Sequence, residues 1–172
     1  NLLKEHENLN TDKKAFMYGR VVNKLARHNL CFADFNQEPD YINKQGTVID
    51  FKEIKVTNIL RNNMGYLFSE NGVYEKVSNL LAEGNYYYDI KKCGIGFHGD
   101  SERRKVIGIR LGETMPLVYL WHIYNRPIGK KLRVNLNHGD IYIMTEKTVG
   151  TDWKKSSILC LRHAAGCEKY LK

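Results

Sequence analysis

From Asn85 onward the chain is a succession of short runs in which apolar and polar residues alternate, separated by turn-forming residues such as glycine and asparagine. VIGIRLG, MPLVYLWHIY, KLRVNLN, IYIM and SILCLRH are such runs. A period of two sends successive side chains to opposite faces of an extended backbone, and the turn residues close each run before a helix can grow. This half therefore folds as short strands. The first half reads differently. TDKKAFMYGRVVNKLARHN opens on a capping residue at Thr11 or Asp12 and places Ala15, Tyr18, Val22 and Leu25 at a helical period. GVYEKVSNLLAEG repeats that period with Val73, Val77, Leu80 and Leu81, and Gly84 is placed to cap its C-terminus. The expectation is an α+β fold, with a mainly helical part over 1–84 packed against a strand assembly over 85–172.

At 172 residues the chain suits a single domain with a substantial core. Its 42% hydrophobic and 27% charged residues are those of a soluble globular protein. No run of about 18 apolar residues is present, so no membrane span is expected. The chain shows no leader pattern at its start, and it begins with Asn rather than Met, as a trimmed piece of a longer protein would. Cys31, Cys93, Cys160 and Cys167 have neither CxxC spacing nor a dense disulfide pattern. A reducing intracellular compartment, nucleus or cytoplasm, is the simpler reading.

The chemistry concentrates in GIGFHGDSE. His98 and Asp100 are separated by one residue, so on an extended backbone an imidazole and a carboxylate share a face and a focus. A second histidine from elsewhere would complete the 2-His-1-carboxylate triad of non-haem Fe(II) sites, which leaves coordination positions open. HGD occurs twice, however. The copy at His138-Gly139-Asp140 stands between KLRVNLN and IYIM and reads as a turn between strands. For the remaining ligand, His163 shares one side of SSILCLRHAAG with Leu159 and Leu161, and an imidazole on an apolar face needs a hydrogen bond or a metal. His122, beside Trp121, is the other candidate, and a core histidine bonded to a carbonyl is the bland alternative for His163.

With these residues in view, the last half of the chain resembles the AlkB-like branch of the Fe(II)- and 2-oxoglutarate-dependent dioxygenases. The resemblance rests on Asn85 and Tyr87 in GNYYYD, on His98 and Asp100 followed by Glu102, on VIGIRLG, and on HGDIYIM, in that order. It implies a double-stranded β-helix, or jelly roll, that uses Fe(II), 2-oxoglutarate and O2. Fe(II) would be held by His98, Asp100 and His163, and 2-oxoglutarate by Asn85 and Tyr87. A basic residue after the second histidine would pair with its far carboxylate. Lys169 leads there, with Arg162 and Lys172 behind it. Where the family places its second histidine, near Trp153, this chain reads TDWKK, and His163 is the nearest replacement.

The resemblance also implies hydroxylation or demethylation of a nucleic-acid base. A net charge of +8, with basic clusters at 103–105, 126–133 and 154–155, fits a DNA or RNA partner. Arg27 and His28, with the aromatic Tyr18 and Phe32, are the candidate substrate-facing groups. Two other readings stand beside it: a nucleic-acid-binding module on a dioxygenase fold without iron, and a hydroxylase of protein side chains. A zinc hydrolase fits less well, because HGD lacks a neighbouring acid-base glutamate.

Overall fold

Tyr18 and Gly19 both adopt left-handed backbone, at φ 55° and 77°. Two such residues in a row make the tight turn whose twist matches that of a β-hairpin. The segment read from its period as a helix is therefore a hairpin, β1 (Lys14–Met17) against β2 (Arg20–Asn23), with Ala15 opposite Val22 and Phe16 opposite Val21. The apparent helical spacing of Ala15, Tyr18 and Val22 arises because a two-residue turn separates the paired positions. Tyr18 is left at the exposed tip of the loop.

The structure, a computed structural model, describes residues 1–67 and 77–172, and the chain divides into two compact units, Asn1–Tyr86 and Tyr87–Lys172. Strand outweighs helix in the second unit, and among the described residues of the first unit five strands stand beside about as much helix, so the class is α+β and the first unit is not mainly helical. Its central strand is β3 (His28–Ala33), flanked by β4 (Val48–Asp50) in parallel and β5 (Ala82–Tyr86) antiparallel. Leu30 and Phe32 from β3 pack on Phe51 and Ile54, with Leu9 and Ile49 closing the cluster. Phe32 is thus a core residue and not a substrate-facing one. Gly84 lies inside β5, paired with Leu30, and ends no helix. A β-carbon there would stand 3.3 Å from the Phe32 ring, so glycine serves a close approach. Leu81 is exposed, Val77 is buried, and Val73 lies outside the described residues. No helix among the described residues is long and apolar enough to cross a membrane.

Among the described residues the first unit includes the helices α1 (Leu2–Glu7) and α2 (Lys55–Leu67). Glu5 of α1 caps α2 from far away in sequence. Its carboxylate accepts hydrogen bonds from the Val56 and Thr57 amides, both at 2.8 Å, and from the Thr57 hydroxyl at 2.7 Å. These are N–H groups that a helix start leaves without an internal partner.

In the second unit the strands are β6 (Gly94–His98), β7 (Val106–Ile109), β8 (Met115–Ile123), β9 (Arg126–Leu136), β10 (Ile141–Met144) and β11 (Cys160–Gly166), with the short α3 (Glu146–Val149) before β11. Their pairing is nested. β8 pairs with β9, β7 with β10 and β6 with β11, all antiparallel. The chain thus runs out along β6, β7 and β8, reverses at the left-handed pair Tyr124-Asn125, and returns alongside itself. β11 also pairs with β8, giving a sheet of order β6-β11-β8-β9. The second HGD is the expected turn between β9 and β10. Gly139 has φ 89° and donates its N–H to the Arg110 carbonyl, while His138 Nδ1 accepts from the Gly112 amide. Val118, Ala164 and Leu171 form a buried cluster with Phe97 packed on it.

Removing the remote cap gives a direct test of the first unit. Burial acts to raise the pKa of Glu5, but the hydrogen bonds from Thr57 and Val56 outweigh it and hold the carboxyl below its ordinary 4.5. A group whose folded pKa is depressed stabilises above its unfolded pKa and loses that contribution as pH falls through the folded value. Glu5→Ala should cost about 1–2 kcal/mol at neutral pH by urea unfolding. The difference from the parent chain should shrink on acidification below pH ~4.

Candidate metal centre

β6 ends at His98, and antiparallel pairing with β11 sets His163 directly across from it. The two imidazole rings stand 4.3 Å apart, centre to centre, at 54° to one another. Asp100 follows two residues after His98 and turns its carboxylate to both. Oδ1 lies 3.7 Å from His98 Nε2, and Oδ2 lies 3.9 Å from His163 Nε2. The register of β6 against β11 shifts immediately after His163, a bulge at the point where the ligands meet. One donor atom from each of the three side chains falls within 4.8 Å of the others.

The backbone fixes each group. His98 Nδ1 is 2.8 Å from the Gly96 carbonyl, which can only accept, so Nδ1 carries the proton and the Nε2 lone pair faces Asp100. The Asp100 amide donates to the Val149 carbonyl at 3.1 Å, anchoring the carboxylate to the end of α3. Gly99 is required for that approach. A β-carbon there would overlap the Gly150 carbonyl oxygen and stand 2.7 Å from Trp153 Cδ1. Gly150 itself caps α3 with φ 73°, a left-handed residue that favours glycine. Arg103 Nη1 lies 3.8 Å from Asp100 Oδ2 and tempers its charge.

His163 is buried, and this burial, reinforced by His98 and less strongly by Arg103, holds its pKa down at about 3 against the opposing pull of the Thr148 backbone. Its Nδ1 makes no well-formed hydrogen bond among the described residues. The ring is therefore neutral near pH 7, and a metal ion meets no competing proton. Two imidazoles and one carboxylate suit a divalent cation of intermediate softness such as Fe(II) or Zn(II). Ligand atoms around one ion at about 2.1 Å stand about 3.0–3.4 Å apart, so the Asp100 oxygens, at 3.7 and 3.9 Å from the two Nε2 atoms, need to close by less than about 1 Å.

The other residues singled out from the sequence lie elsewhere. Asn85 belongs to the first unit, where its Oδ1 accepts from Arg27 Nε at 2.5 Å and from Asn29 Nδ2 at 2.7 Å. His28 is next to this pair on β3, with Nδ1 3.3 Å from the Thr11 hydroxyl and its ring 6.1 Å from that of Tyr86. Tyr87 lies in the second unit, with the Arg110 guanidinium 6.0 Å from its ring centre. Lys169 is exposed, its ammonium 4.8 Å from the centre of the Tyr170 ring. Arg162 points away from His163, to Asn125 Oδ1 at 2.6 Å and over the Trp153 ring. His122 is buried against Phe97 with Nδ1 on the Leu120 carbonyl, and it takes no part in the cluster. Leu159, expected to share an interior face with His163, is exposed, while Cys160 and Ala164 are the buried residues around it. Sequence reasoning passed over Gly150 and Trp153 as supports of Asp100, although a glycine after TEKTV is the ordinary mark of a helix end.

Gly99→Ala should therefore act through packing alone. The overlap with backbone at Gly150 cannot be relieved by turning a side chain, so a loss of about 1–3 kcal/mol or more in unfolding free energy is expected, together with weakened Mn(II) binding. Ser101→Ala, an exposed change nearby, should move neither.

No protein-family model matches the chain. It is 53% identical over 171 residues to an uncharacterized protein of Acanthamoeba polyphaga mimivirus. That alignment covers 99% of this chain and 65% of the viral protein, so the chain spans about two thirds of the relative's length.

Proposed function

We propose that the chain carries the metal-binding core of a non-haem Fe(II) dioxygenase that consumes 2-oxoglutarate and O2, with a nucleic-acid base as substrate. The observation that carries the reading is the meeting of His98, Asp100 and His163, two histidines and one carboxylate on paired strands. The nested pairing of β6 to β11 supports it. A long antiparallel ribbon whose last strand also pairs with β8 is the pairing that a double-stranded β-helix would require, and such barrels hold small ligands inside.

His98, Asp100 and His163 would hold the iron, which when bound supplies oxidative decarboxylation of 2-oxoglutarate coupled to hydroxylation of a substrate C–H bond. The protein's part is orientation and exclusion of water. Gly96 and Val149 keep His98 and Asp100 in place through backbone hydrogen bonds, and the burial of His163 keeps solvent from one side of the centre. Beside Asp100, a hollow whose lining includes Arg104, Lys147 and Lys155 together with Glu146 and Asp152 offers cations to a phosphate backbone. Lys147 is already paired with Asp152 at 2.8 Å, whereas Arg104 and Lys155 form no ion pair among the described residues. On β9, Arg126, Lys130, Lys131 and Arg133 are exposed cations as well, with Arg133 paired to Glu168.

Anaerobically iron-loaded protein exposed to O2 should release succinate from 2-oxoglutarate, and Asp100→Ala and His163→Ala should each abolish it along with Fe(II) binding. Full succinate release by both variants would sink the assignment. For the substrate, affinity for a single-stranded oligonucleotide should fall steeply with salt. Arg104→Ala, Lys155→Ala and Arg27→Ala should each flatten the slope of log K against log salt by about 0.7–1. An unchanged slope in Arg27→Ala would remove that residue from the interface.

A further inference from the structure

At the end of the β6–β11 pair away from the metal ligands, the two backbones press together. Gly94 stands opposite Gly166 there, and a β-carbon on Gly166 would overlap the Gly94 α-carbon. One step further along, the Cys167 amide donates to the Cys93 carbonyl at 3.0 Å, so the same register sets Cys93 against Cys167. Residues directly opposite in an antiparallel pair have α-carbons about 4.5–5.5 Å apart and side chains on one face. That spacing lies within the range that a disulfide bridges. Both cysteines are free thiols in this structure.

Their surroundings differ. Cys93 is wholly buried, in hydrogen-bond contact with the Tyr88 hydroxyl and within electrostatic reach of the Lys92 ammonium, whereas Cys167 is partly open to solvent. An oxidant from solution therefore meets Cys167 first and reaches Cys93 through it. The other two cysteines lack this arrangement: Cys31 is exposed on β3 of the first unit, and Cys160 is buried opposite His122. The segment between Cys93 and Cys167 contains His98, Asp100 and His163, so a bond between the two sulfurs would pin both ends of the stretch that carries the cluster.

We propose that Cys93 and Cys167 are a redox modification site, joined reversibly as a disulfide by a hydroperoxide, and that the bond locks β6 to β11. The Cys167 sulfur attacks the peroxide and breaks its O–O bond, becoming a sulfenic acid while the peroxide leaves as water or an alcohol. The Cys93 sulfur then attacks the sulfenic sulfur. The S–S bond forms, and the hydroxyl leaves with the Cys93 proton as a second molecule of water. Two thiols lose two electrons and the peroxide gains them. A dithiol reductant returns both thiols, as suits a transient bond in a reducing compartment.

The test is to treat the reduced 172-residue chain with hydrogen peroxide, digest it without reduction and map its disulfides by mass spectrometry. One intramolecular Cys93–Cys167 bond is expected, with Cys160 still a thiol and both thiols recovered by dithiothreitol. The same oxidation in denaturing guanidinium chloride should lose that selectivity. In the cross-linked protein the thermal midpoint should rise by about 5 °C or more, and amide hydrogen exchange in β6 and β11 should slow about tenfold. Cys93→Ala should leave Cys167 as a sulfenic acid that dimedone traps. If that buried variant does not fold, Cys167→Ser, at a partly open position, takes its place and should leave Cys93 unoxidised in the folded protein. Oxidation of Cys167 without a bond to Cys93, preferential bridging through Cys31, or unchanged exchange in the cross-linked form would overturn the proposal.

Discussion

The antiparallel pairing of β6 with β11 is the constraint on which the second unit depends. It joins the first and last strands of a ribbon whose middle is closed by the β8–β9 hairpin, and it places His163 across from His98. Backbone hydrogen bonds between strands have one register in which both apolar faces stay buried, and a slip by one residue would send every side chain to the opposite face. Ligand geometry is therefore a by-product of core packing. Ala164, wholly buried beside His163, and Phe97, beside His98, hold the register from the opposite face.

Close backbone contacts then remove the remaining freedom. Gly99 meets Gly150 and Trp153, Gly94 meets Tyr170 and the Ala165 carbonyl, and Gly108 meets the ring of Tyr142. At each point the missing side chain lets two segments approach to a distance that no other residue permits. A site built on such contacts is stiff, which is what a ligand set needs in order to keep its spacing without an ion. The interior polar groups are arranged with the same economy. The buried imidazole of His163 stays neutral, the phenols of Tyr119 and Tyr142 stay protonated, and Arg103, Arg110 and Arg162 carry half-buried positive charge.

How much of this was legible depended on the range of the interaction. The strands of the second unit were readable because alternation and turn residues are local, and the five runs from Val106 onward each overlap an observed strand. His98 and Asp100 were readable because their spacing is that of one extended segment. The hairpin over 14–23 was misread because a two-residue turn places Ala15, Tyr18 and Val22 at intervals that a helix also produces, and tyrosine is an unusual occupant of a left-handed turn position. Gly84 was misread because a glycine that ends a helix and a glycine that admits an aromatic ring look alike in sequence.

The sequence by itself determined the α+β class, the strand-rich second half, the turn at the second HGD and the shared face of His98 and Asp100 in the first, since each is settled by residues within a few positions of one another. Only tertiary structure decided that His163 and not His122 completes the cluster, that Gly99 is held by Gly150 and Trp153, and that Cys93 stands against Cys167. Those facts follow from which strands pair, and pairing over long stretches of chain is decided by burial of the whole core rather than by any local pattern.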